Sequence, residues 1–428
     1  MPPISLSSLQ SSIDTLTTDT AQIDAIRAYL RLLGPVQEVR LVPSDPEAHA
    51  YFGCSVSINT AGDVAIIGAY GDDGSDSGAA YIFTNSGSGW TETAKLVPSD
   101  PETSAYFGYS VSINAAGDVA IIGAYYDDGT GAVDSGAAYI FSNSGGSWSQ
   151  VAKLVPSDPE ASATFGTTVS INAAGDVAII GAKSDDGAGT LNSGAAYIFS
   201  NSGGGWTQVA KLLPSDPEAN AYFGGSVSIN AAGDVAIIGA YADDGYRGAA
   251  YIFTNSGGWS ETVKLLPSDP EVDAVFGYSV SINAAGDVAI IGAYGDDEAG
   301  AVNSGAAYIF TNSGGWSQVA KLLPSDPETS ANFGIDVSIN AAGDVAIIGA
   351  YYDDGIGVAD SGAAYVFTNS GGSWSQVAKL LPSDPEASAA FGDTVSINAA
   401  GNMMIIGAPY RGFSGTMSGV GYIFRGVI

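Results

Sequence analysis

Pairs of aspartates recur along this 428-residue chain, and cation binding is the first chemistry that they suggest. Most pairs precede a glycine, and the segment DDGTGAVD at 127–134 places three carboxylates in one short loop. Carboxylates beside backbone carbonyls are ligands that Ca²⁺ prefers. Because Asp-Gly is also a common turn sequence and the spacing is not that of an EF-hand, a solvated acidic turn is the favoured alternative. The candidate metal ligands are Asp72, Asp73, Asp127, Asp128, Asp134, Asp185, Asp186, Asp243, Asp244, Asp296, Asp297, Asp353 and Asp354.

Tyrosines recur beside two dipeptides of the sequence, Phe-Gly and Gly-Ala, and suggest a binding surface. A tyrosine ring offers rigid, amphipathic contact area, so a group of them could stack on a sugar or anchor a protein partner. Packing within the fold is the alternative for some of these rings. The candidate ligand-binding residues are Tyr51, Tyr70, Tyr106, Tyr109, Tyr125, Tyr222, Tyr241, Tyr278, Tyr294 and Tyr351.

Catalytic chemistry has little support in the sequence. The chain has one histidine, His49, and one cysteine, Cys54, and it contains no GxSxG, phosphate-binding or histidine-based metal motif. The repeated carboxylates could act as acid and base in principle, but nothing distinguishes one pair from the next. We therefore predict that the protein is not an enzyme, and that it has no cofactor unless Ca²⁺ binds the acidic loops.

The charge balance narrows the classes of partner. The chain has 45 acidic residues against 13 Lys and Arg, and its net charge is -32 at pH 7. Such a surface repels nucleic acid and anionic lipid, so neither is expected as a partner. The sequence has no run of 18 apolar residues, and its start, MPPISLSSLQ, has no basic region. Neither a membrane span nor a secretory signal is therefore predicted.

The candidate residues lie in a sequence that repeats itself seven times. The Phe-Gly pairs that mark the repeats begin at Phe52, Phe107, Phe165, Phe223, Phe276, Phe333 and Phe391. Each unit contains four strand-like runs, which in the third unit are 167–172, 177–182, 194–199 and 206–213. Four strands joined in order by short turns form one antiparallel blade, so the sequence predicts an all-β, seven-bladed β-propeller.

The ends of the repeat array predict how the ring closes. Residues 36–42 read as a lone fourth strand before the first unit, and the last unit stops after its third strand, at 421–424. Pairing of these two strands would close the ring without a covalent bond and would cover a free sheet edge. We therefore assign residues 35–428 to the propeller and residues 1–34 to a separate N-terminal segment.

The repeat resembles a known family. Phe391-Gly392 followed by Gly407-Ala408-Pro409 spells the FG-GAP motif, and the other units have Phe-Gly followed by Gly-Ala-Tyr or Gly-Ala-Lys. From residue 36 onward the chain is similar to the seven-bladed FG-GAP propeller of integrin α-subunits. The resemblance implies adhesion or protein recognition outside the cell. The family's calcium sites do not carry over, because the loop between the first and second strands is the short NAAGD, as at 114–118.

The repeats also differ from one another in a pattern. In a four-stranded blade, the 2–3 loops and the links between blades lie on one face of the disc, and here they carry the Asp-Asp pairs and the PSDPE segments. Residues beside Phe-Gly and after Gly-Ala vary between units, whereas the turns of the opposite face scarcely change. We predict that the acidic, tyrosine-bearing face binds a protein or a glycan. Relaxed constraint on exposed loops is the alternative.

The N-terminal segment carries an apolar stripe. Within residues 6–33 the apolar positions follow a roughly heptad spacing, and Gly34-Pro35 ends the pattern. The pattern predicts an amphipathic helix that packs on the ring or mediates docking or homo-oligomerisation. In the second case, the chain would be a structural component of a virion, appendage or surface layer. An extracellular or particle-surface location is expected.

Overall fold

Seven four-stranded antiparallel sheets form the structure, a computed structural model that describes residues 36–187, 189–297, 300–412 and 417–428. Six sheets pair their strands in chain order, and the seventh combines the two ends of the array. This is the all-β, seven-bladed propeller that the sequence predicts. Within the described ranges, helical structure is limited to one turn, Asp243–Tyr246. The helix predicted within residues 1–34 lies outside the described residues.

We number the blades 1 to 7 from the one that follows Phe52, and the strands of each blade from the axis outward. The first strands are Val56–Ile58, Ser110–Ile113, Phe165–Ile171, Ser226–Ile229, Val280–Ile282, Val337–Ile339 and Val395–Ile397. The second strands are Val64–Ala69, Val119–Ala124, Val177–Ala182, Val235–Ala240, Val288–Ala293, Val345–Ala350 and Met403–Ala408. The third strands are Ala79–Asn85, Ala137–Ser144, Ala195–Asn201, Ala249–Asn255, Ala306–Asn312, Ala363–Ser370 and Val420–Arg425. The fourth strands are Trp90–Leu96, Ser147–Leu154, Trp206–Leu212, Trp259–Leu265, Trp316–Leu322, Ser373–Leu380 and, in blade 7, Gln37–Leu41.

Blade 7 joins the two ends of the propeller. Gln37–Leu41 runs antiparallel to Val420–Arg425, with Val39 opposite Ile423. The first strands of neighbouring blades contact one another around the whole ring, including those of blades 7 and 1. The pairing covers the outer edge of the third strand in blade 7, which would otherwise be open to other chains.

Hydrophobic clusters fill the spaces between neighbouring blades. In blade 2, Ile122 packs toward blade 1 and Ile121 packs toward blade 3. Successive side chains of a strand point to opposite faces, and both faces of each blade are covered. This burial explains why the second strand, VAIIGA, is almost entirely apolar. In the cluster between blades 2 and 3, the ring of Phe165 lies edge-on to Tyr197 with the centroids 5.4 Å apart.

Two glycines allow neighbouring blades to approach closely. The Phe-Gly glycine of blade 3, Gly166, has a φ of +92° and lies against the second strand of blade 2. A Cβ atom on Gly123 of that strand would be 2.0 Å from the carbonyl oxygen of Gly166. Because this distance is far inside van der Waals contact, no larger residue fits there. Equivalent glycine contacts recur at every interface, so Phe-Gly and Gly-Ala must repeat in phase.

Serine hydroxyls accept hydrogen bonds from backbone N–H groups at the inner edges of the blades. The first strand of each blade is an edge strand, so some of its backbone N–H groups lack a strand partner. In blade 3, the Val169 N–H donates to Ser110 Oγ at 3.0 Å and the Ile171 N–H donates to Ser112 Oγ at 3.3 Å. Serines of the first strands in blades 1 to 6 therefore fasten the next blade, and a serine from every first strand lines a cavity on the axis.

Candidate functional site

The first aspartate of each Asp-Asp pair is buried and holds two loops together. In blade 2, the Tyr139 hydroxyl donates to Asp127 Oδ2 at 2.6 Å. Lys153 Nζ lies 2.9 Å from Asp127 Oδ1 and 2.7 Å from Asp100 Oδ2. The equivalent buried aspartates are Asp72, Asp127, Asp185, Asp243, Asp296 and Asp353. The solvated-turn interpretation is therefore wrong for these residues, which anchor the 2–3 loop to the link before the blade.

The second aspartate of each pair is exposed or half-buried and also contacts that link. In blade 2, the Asp128 N–H donates to Glu102 Oε2 at 3.0 Å, and the Asp134 N–H donates to Asp128 Oδ1 at 2.9 Å. The equivalent residues are Asp73, Asp128, Asp186, Asp244, Asp297 and Asp354. The acidic residues of the PSDPE links and of the Asp-Asp loops thus lie on one face. Their contacts hold each Asp-Asp loop against the link before its blade.

The contacts around these carboxylates bear on the calcium hypothesis. Across the described residues, no group of three or more His, Cys, Asp or Glu is arranged to hold a metal ion. The first aspartate already has a lysine cation at 2.9 Å in blade 2. Calcium binding by these loops stays a prediction, and it would have to rely on the second aspartates.

Blade 7 has a cation in place of the buried aspartate of the anchor. Arg411 stands where the other blades have the buried aspartate, and Arg40 stands where they have the lysine. Both contact one carboxylate, with Arg40 Nη1 2.9 Å from Asp384 Oδ2 and Arg411 Nη1 2.7 Å from Asp384 Oδ1. Burial raises the pKa of Asp384, but its hydrogen bonds with the two guanidinium groups outweigh burial and hold the pKa below its ordinary value.

A cavity of about 570 Å³ lies on the axis, at the face that carries these loops. The first strands of the seven blades form its wall, and the residue that follows Phe-Gly contributes from every blade. These seven residues are Cys54, Tyr109, Thr167, Gly225, Tyr278, Ile335 and Asp393. The most variable position of the repeat therefore faces a single cavity, which the linear sequence does not reveal.

Nine of the ten candidate tyrosines form two groups around the mouth of this cavity. The first group is Tyr51, Tyr70, Tyr106, Tyr109 and Tyr125. The second group is Tyr222, Tyr241, Tyr278 and Tyr294. Tyr51 stacks on Tyr70 with the centroids 4.9 Å apart. Tyr351 lies apart from both groups, against Tyr352 at 3.9 Å, and also lines the cavity.

Comparison with known protein families agrees with this geometry. The FG-GAP repeat matches at residues 35–83, 90–141, 148–199, 206–253, 259–310, 316–367 and 374–424. The chain belongs to the FG-GAP repeat family. No curated protein matches it significantly. In the portion of this FG-GAP propeller that the structure describes, no helix is long and apolar enough to cross a membrane.

The FG-GAP propeller carries three charged residues in the cavity wall that the sequence-based site prediction left out, namely Lys183, Asp336 and Asp393. Lys183 replaces a tyrosine that five other blades have, and Asp336 replaces a Ser or Thr of the other six. Their departure from the repeat is the signal that could have identified them. The site prediction also left out four exposed tyrosines on the same face, Tyr126, Tyr246, Tyr352 and Tyr410.

Asp336 and Asp393 form the acidic side of the FG-GAP cavity, on the neighbouring blades 6 and 7. Asp336 accepts hydrogen bonds from the Ser279 hydroxyl and the Val395 N–H, each at 2.7 Å. Burial raises the pKa of Asp336 to about 6 despite these donors. Burial, and to a lesser degree the charge of Asp336, raises the pKa of Asp393 to about 7. The charge of this side of the cavity therefore changes near neutral pH.

Proposed function

We propose that this propeller is a non-enzymatic recognition module that binds a protein or a glycan with the face around the axial cavity. The observation that carries the proposal is the placement of variation within a nearly identical repeat. The glycines shared by all blades make close inter-blade contacts, whereas the residue that follows Phe-Gly differs between blades and faces the cavity from every one of them. A surface that distinguishes one ligand from another needs this kind of local difference.

The chemistry of the face suits a protein or carbohydrate ligand. The tyrosine groups offer ring faces for stacking and hydroxyls for hydrogen bonding. Burial raises the pKa of Tyr109 to about 12, so its hydroxyl keeps its proton at physiological pH. Exposed rings at the rim, such as Tyr126 and Tyr410, extend the contact area beyond the cavity. Rigid aromatic side chains of this kind dominate the binding energy of many interfaces.

Adhesion outside the cell or on a particle surface forms part of the same proposal. Its support is the membership of the FG-GAP family together with an acidic surface that disfavours nucleic acid. The structural-component alternative depends on self-association through residues 6–33, which lie outside the described residues, so it remains a prediction from the sequence.

A binding screen with matched variants tests the proposed function. The full-length protein is applied to a glycan array and to a library of displayed peptides. A second sample carries Tyr126→Ala, Tyr352→Ala and Tyr410→Ala on the rim. A control carries Ser202→Ala, Ser256→Ala and Ser313→Ala, all exposed turn residues of the opposite face. We expect ligands that the wild type and the control bind but the rim variant does not.

The screen also defines what would contradict the proposal. Ligands that bind all three proteins equally would show that the tyrosine-bearing face is not the binding surface. Absence of any ligand in both libraries would argue against protein and glycan recognition together. Circular dichroism of each variant shows whether it has folded.

A further inference from the structure

Lys183 is a cation without a protein partner in the cavity wall. Its side chain is half-buried and makes no hydrogen bond or ion pair with any described residue. The six lysines of the fourth strands behave differently, because each contacts two aspartates, as Lys153 does with Asp100 and Asp127. Burial lowers the pKa of Lys183, and no charge among the described residues offsets this effect. An anionic group of a ligand would do so.

Asp393 is the corresponding anion without a protein partner. Its carboxylate accepts no hydrogen bond from the described residues, in contrast to that of Asp336. Burial raises the pKa of the side chains around it, and the charge of Asp393 adds to that effect. These side chains are Cys54, Tyr109, Tyr278, Tyr351 and Tyr410. Asp393 therefore lies among the tyrosines of the cavity, where a cationic group would find a carboxylate and tyrosine faces.

The two unpaired charges lie on opposite sides of the axis. Lys183 belongs to blade 3 and Asp393 to blade 7, with two blades between them in one direction and three in the other. Tyr109 lies on the first arc and Tyr278 on the second. Because the charges do not reach each other, the space between them is open to a ligand that carries both signs.

We propose that the axial cavity binds a short peptide with free termini, its carboxylate at Lys183 and its ammonium group at Asp393 and Asp336. The cavity volume of about 570 Å³ falls within the range of small-ligand sites, roughly 300–1,000 Å³. Because the two charges belong to opposite walls, the proposed ligand is longer than a single amino acid. The tyrosine rings on both arcs cover the chain between the termini. The inference does not depend on which partner the rim binds.

Isothermal titration calorimetry on the full-length protein tests the inference. The probes are unprotected tripeptides Ala-X-Ala with Ala, Tyr, Glu or Lys in the middle, together with their N-acetylated and C-amidated forms. We expect the unprotected peptides to bind, and each cap to weaken binding by about tenfold because it removes one charge-assisted contact. If no unprotected peptide binds at millimolar concentration, or if neither cap weakens binding, the inference is overturned.

Matched variants assign each terminus to its residue. In Lys183→Met, the preference for a free carboxylate over the amide should disappear while the preference for a free amine persists. In Asp393→Asn, the opposite should hold. Ser202→Ala on the far face should change neither preference. Lys183→Tyr, which installs the residue of five other blades, serves as a second variant if the methionine variant does not fold. Unchanged preferences in folded variants would also overturn the inference.

The pH dependence of binding gives an independent readout. From pH 7.5 to pH 5, Asp393 and Asp336 become protonated, since their pKa values are about 7 and about 6. The thiol and phenols around Asp393 stay neutral over this range, because burial raises their pKa. Binding of a free amine should therefore weaken on acidification, whereas binding of the N-acetylated peptide should not. An equal response of both peptides would contradict the placement of the ammonium group.

Discussion

The carboxylate of Asp336 accepts a hydrogen bond from the backbone N–H of Val395 at 2.7 Å. At four other junctions between blades, a serine hydroxyl accepts the equivalent bond, as Ser110 does from Val169 at 3.0 Å. Blade 6 thus places a negative charge in a ring of neutral hydroxyls. A second carboxylate, Asp393, follows on blade 7, and the two charges interact in a buried place.

The pair of Asp336 and Asp393 predicts a contribution to the free energy of unfolding that falls as pH rises. The pKa of Asp393 is raised from its ordinary value of 3.8 to about 7, so the folded state holds a proton that the unfolded state releases between these values. Asp393→Asn should remove the effect. The difference in free energy of unfolding, variant minus wild type, should therefore increase by roughly 1–3 kcal/mol from pH 5 to pH 8. Urea denaturation at both pH values measures the gain.

The exposed Asp273 offers the control for this experiment, since Asp273→Asn removes one acid without relieving burial. Its difference from wild type should be nearly the same at pH 5 and pH 8. If Asp393→Asn behaves like the control, Asp393 does not carry a raised pKa.

Two lysines of different environment should respond differently to the same substitution. Lys153→Met leaves the buried carboxylate of Asp127 without its cation, and we expect a loss of about 3 kcal/mol in free energy of unfolding. Lys183→Met removes an unpaired cation, and the change should lie within about 0.5 kcal/mol of zero or be stabilising. Denaturant titration of both variants at pH 7 provides the measurement. Equal losses would show that the ion pair does not hold the loop.

The inter-blade glycine contact predicts a severe effect from a single methyl group. In Gly123→Ala, the new Cβ would be 2.0 Å from the Gly166 carbonyl oxygen, so blades 2 and 3 must separate. We expect a loss above about 4 kcal/mol or failure to fold. Gly204→Ala is the matched control, because Gly204 has no neighbour within 4 Å and no positive φ. Thermal melting of the two variants would contradict the prediction if their midpoints agreed.

Through the first aspartates, calcium should have no specific effect on stability. The buried aspartates already contact lysines, and Lys153 occupies the place beside Asp127 that a cation would take. We expect millimolar Ca²⁺ to change the melting temperature no more than Mg²⁺ does at equal ionic strength, through screening of the net charge of -32. A saturable shift specific to Ca²⁺ and lost in Asp128→Asn would establish a site at the second aspartate.

The fold could be predicted from the sequence because its determinants are local and repeated. Alternation of apolar residues, the NAAGD turns and the regular spacing of Phe52 and its equivalents predict four strands per unit and seven units. The lone strand before the first unit and the missing fourth strand of the last unit predict the pairing of Gln37–Leu41 with Val420–Arg425. Each of these features depends on residues that are neighbours in the chain or on the number of strands and repeats. Predicting them therefore requires no knowledge of which remote residues lie close together.

The site could be predicted only in part. The sequence predicted that the Asp-Asp loops, the PSDPE links and the tyrosines lie on one face, because strand order alone decides which loops share a face. It did not distinguish Asp127, which is buried under Lys153, from Asp128, which is half-buried, since the two are adjacent and identical in type. Burial of a carboxylate depends on which cation the fold brings to it, and Lys153 is 26 residues away.

Convergence on the axis is what the tertiary structure alone decided. Lys183, Asp336 and Asp393 are far apart in sequence and occupy different positions of the repeat, yet all three line one cavity. Closing seven blades into a ring turns a position repeated along the chain into a circle of neighbours around an axis. The sequence by itself determined the blades and their number; the closed ring determined which residues meet, because only closure brings the inner strands within reach of one ligand.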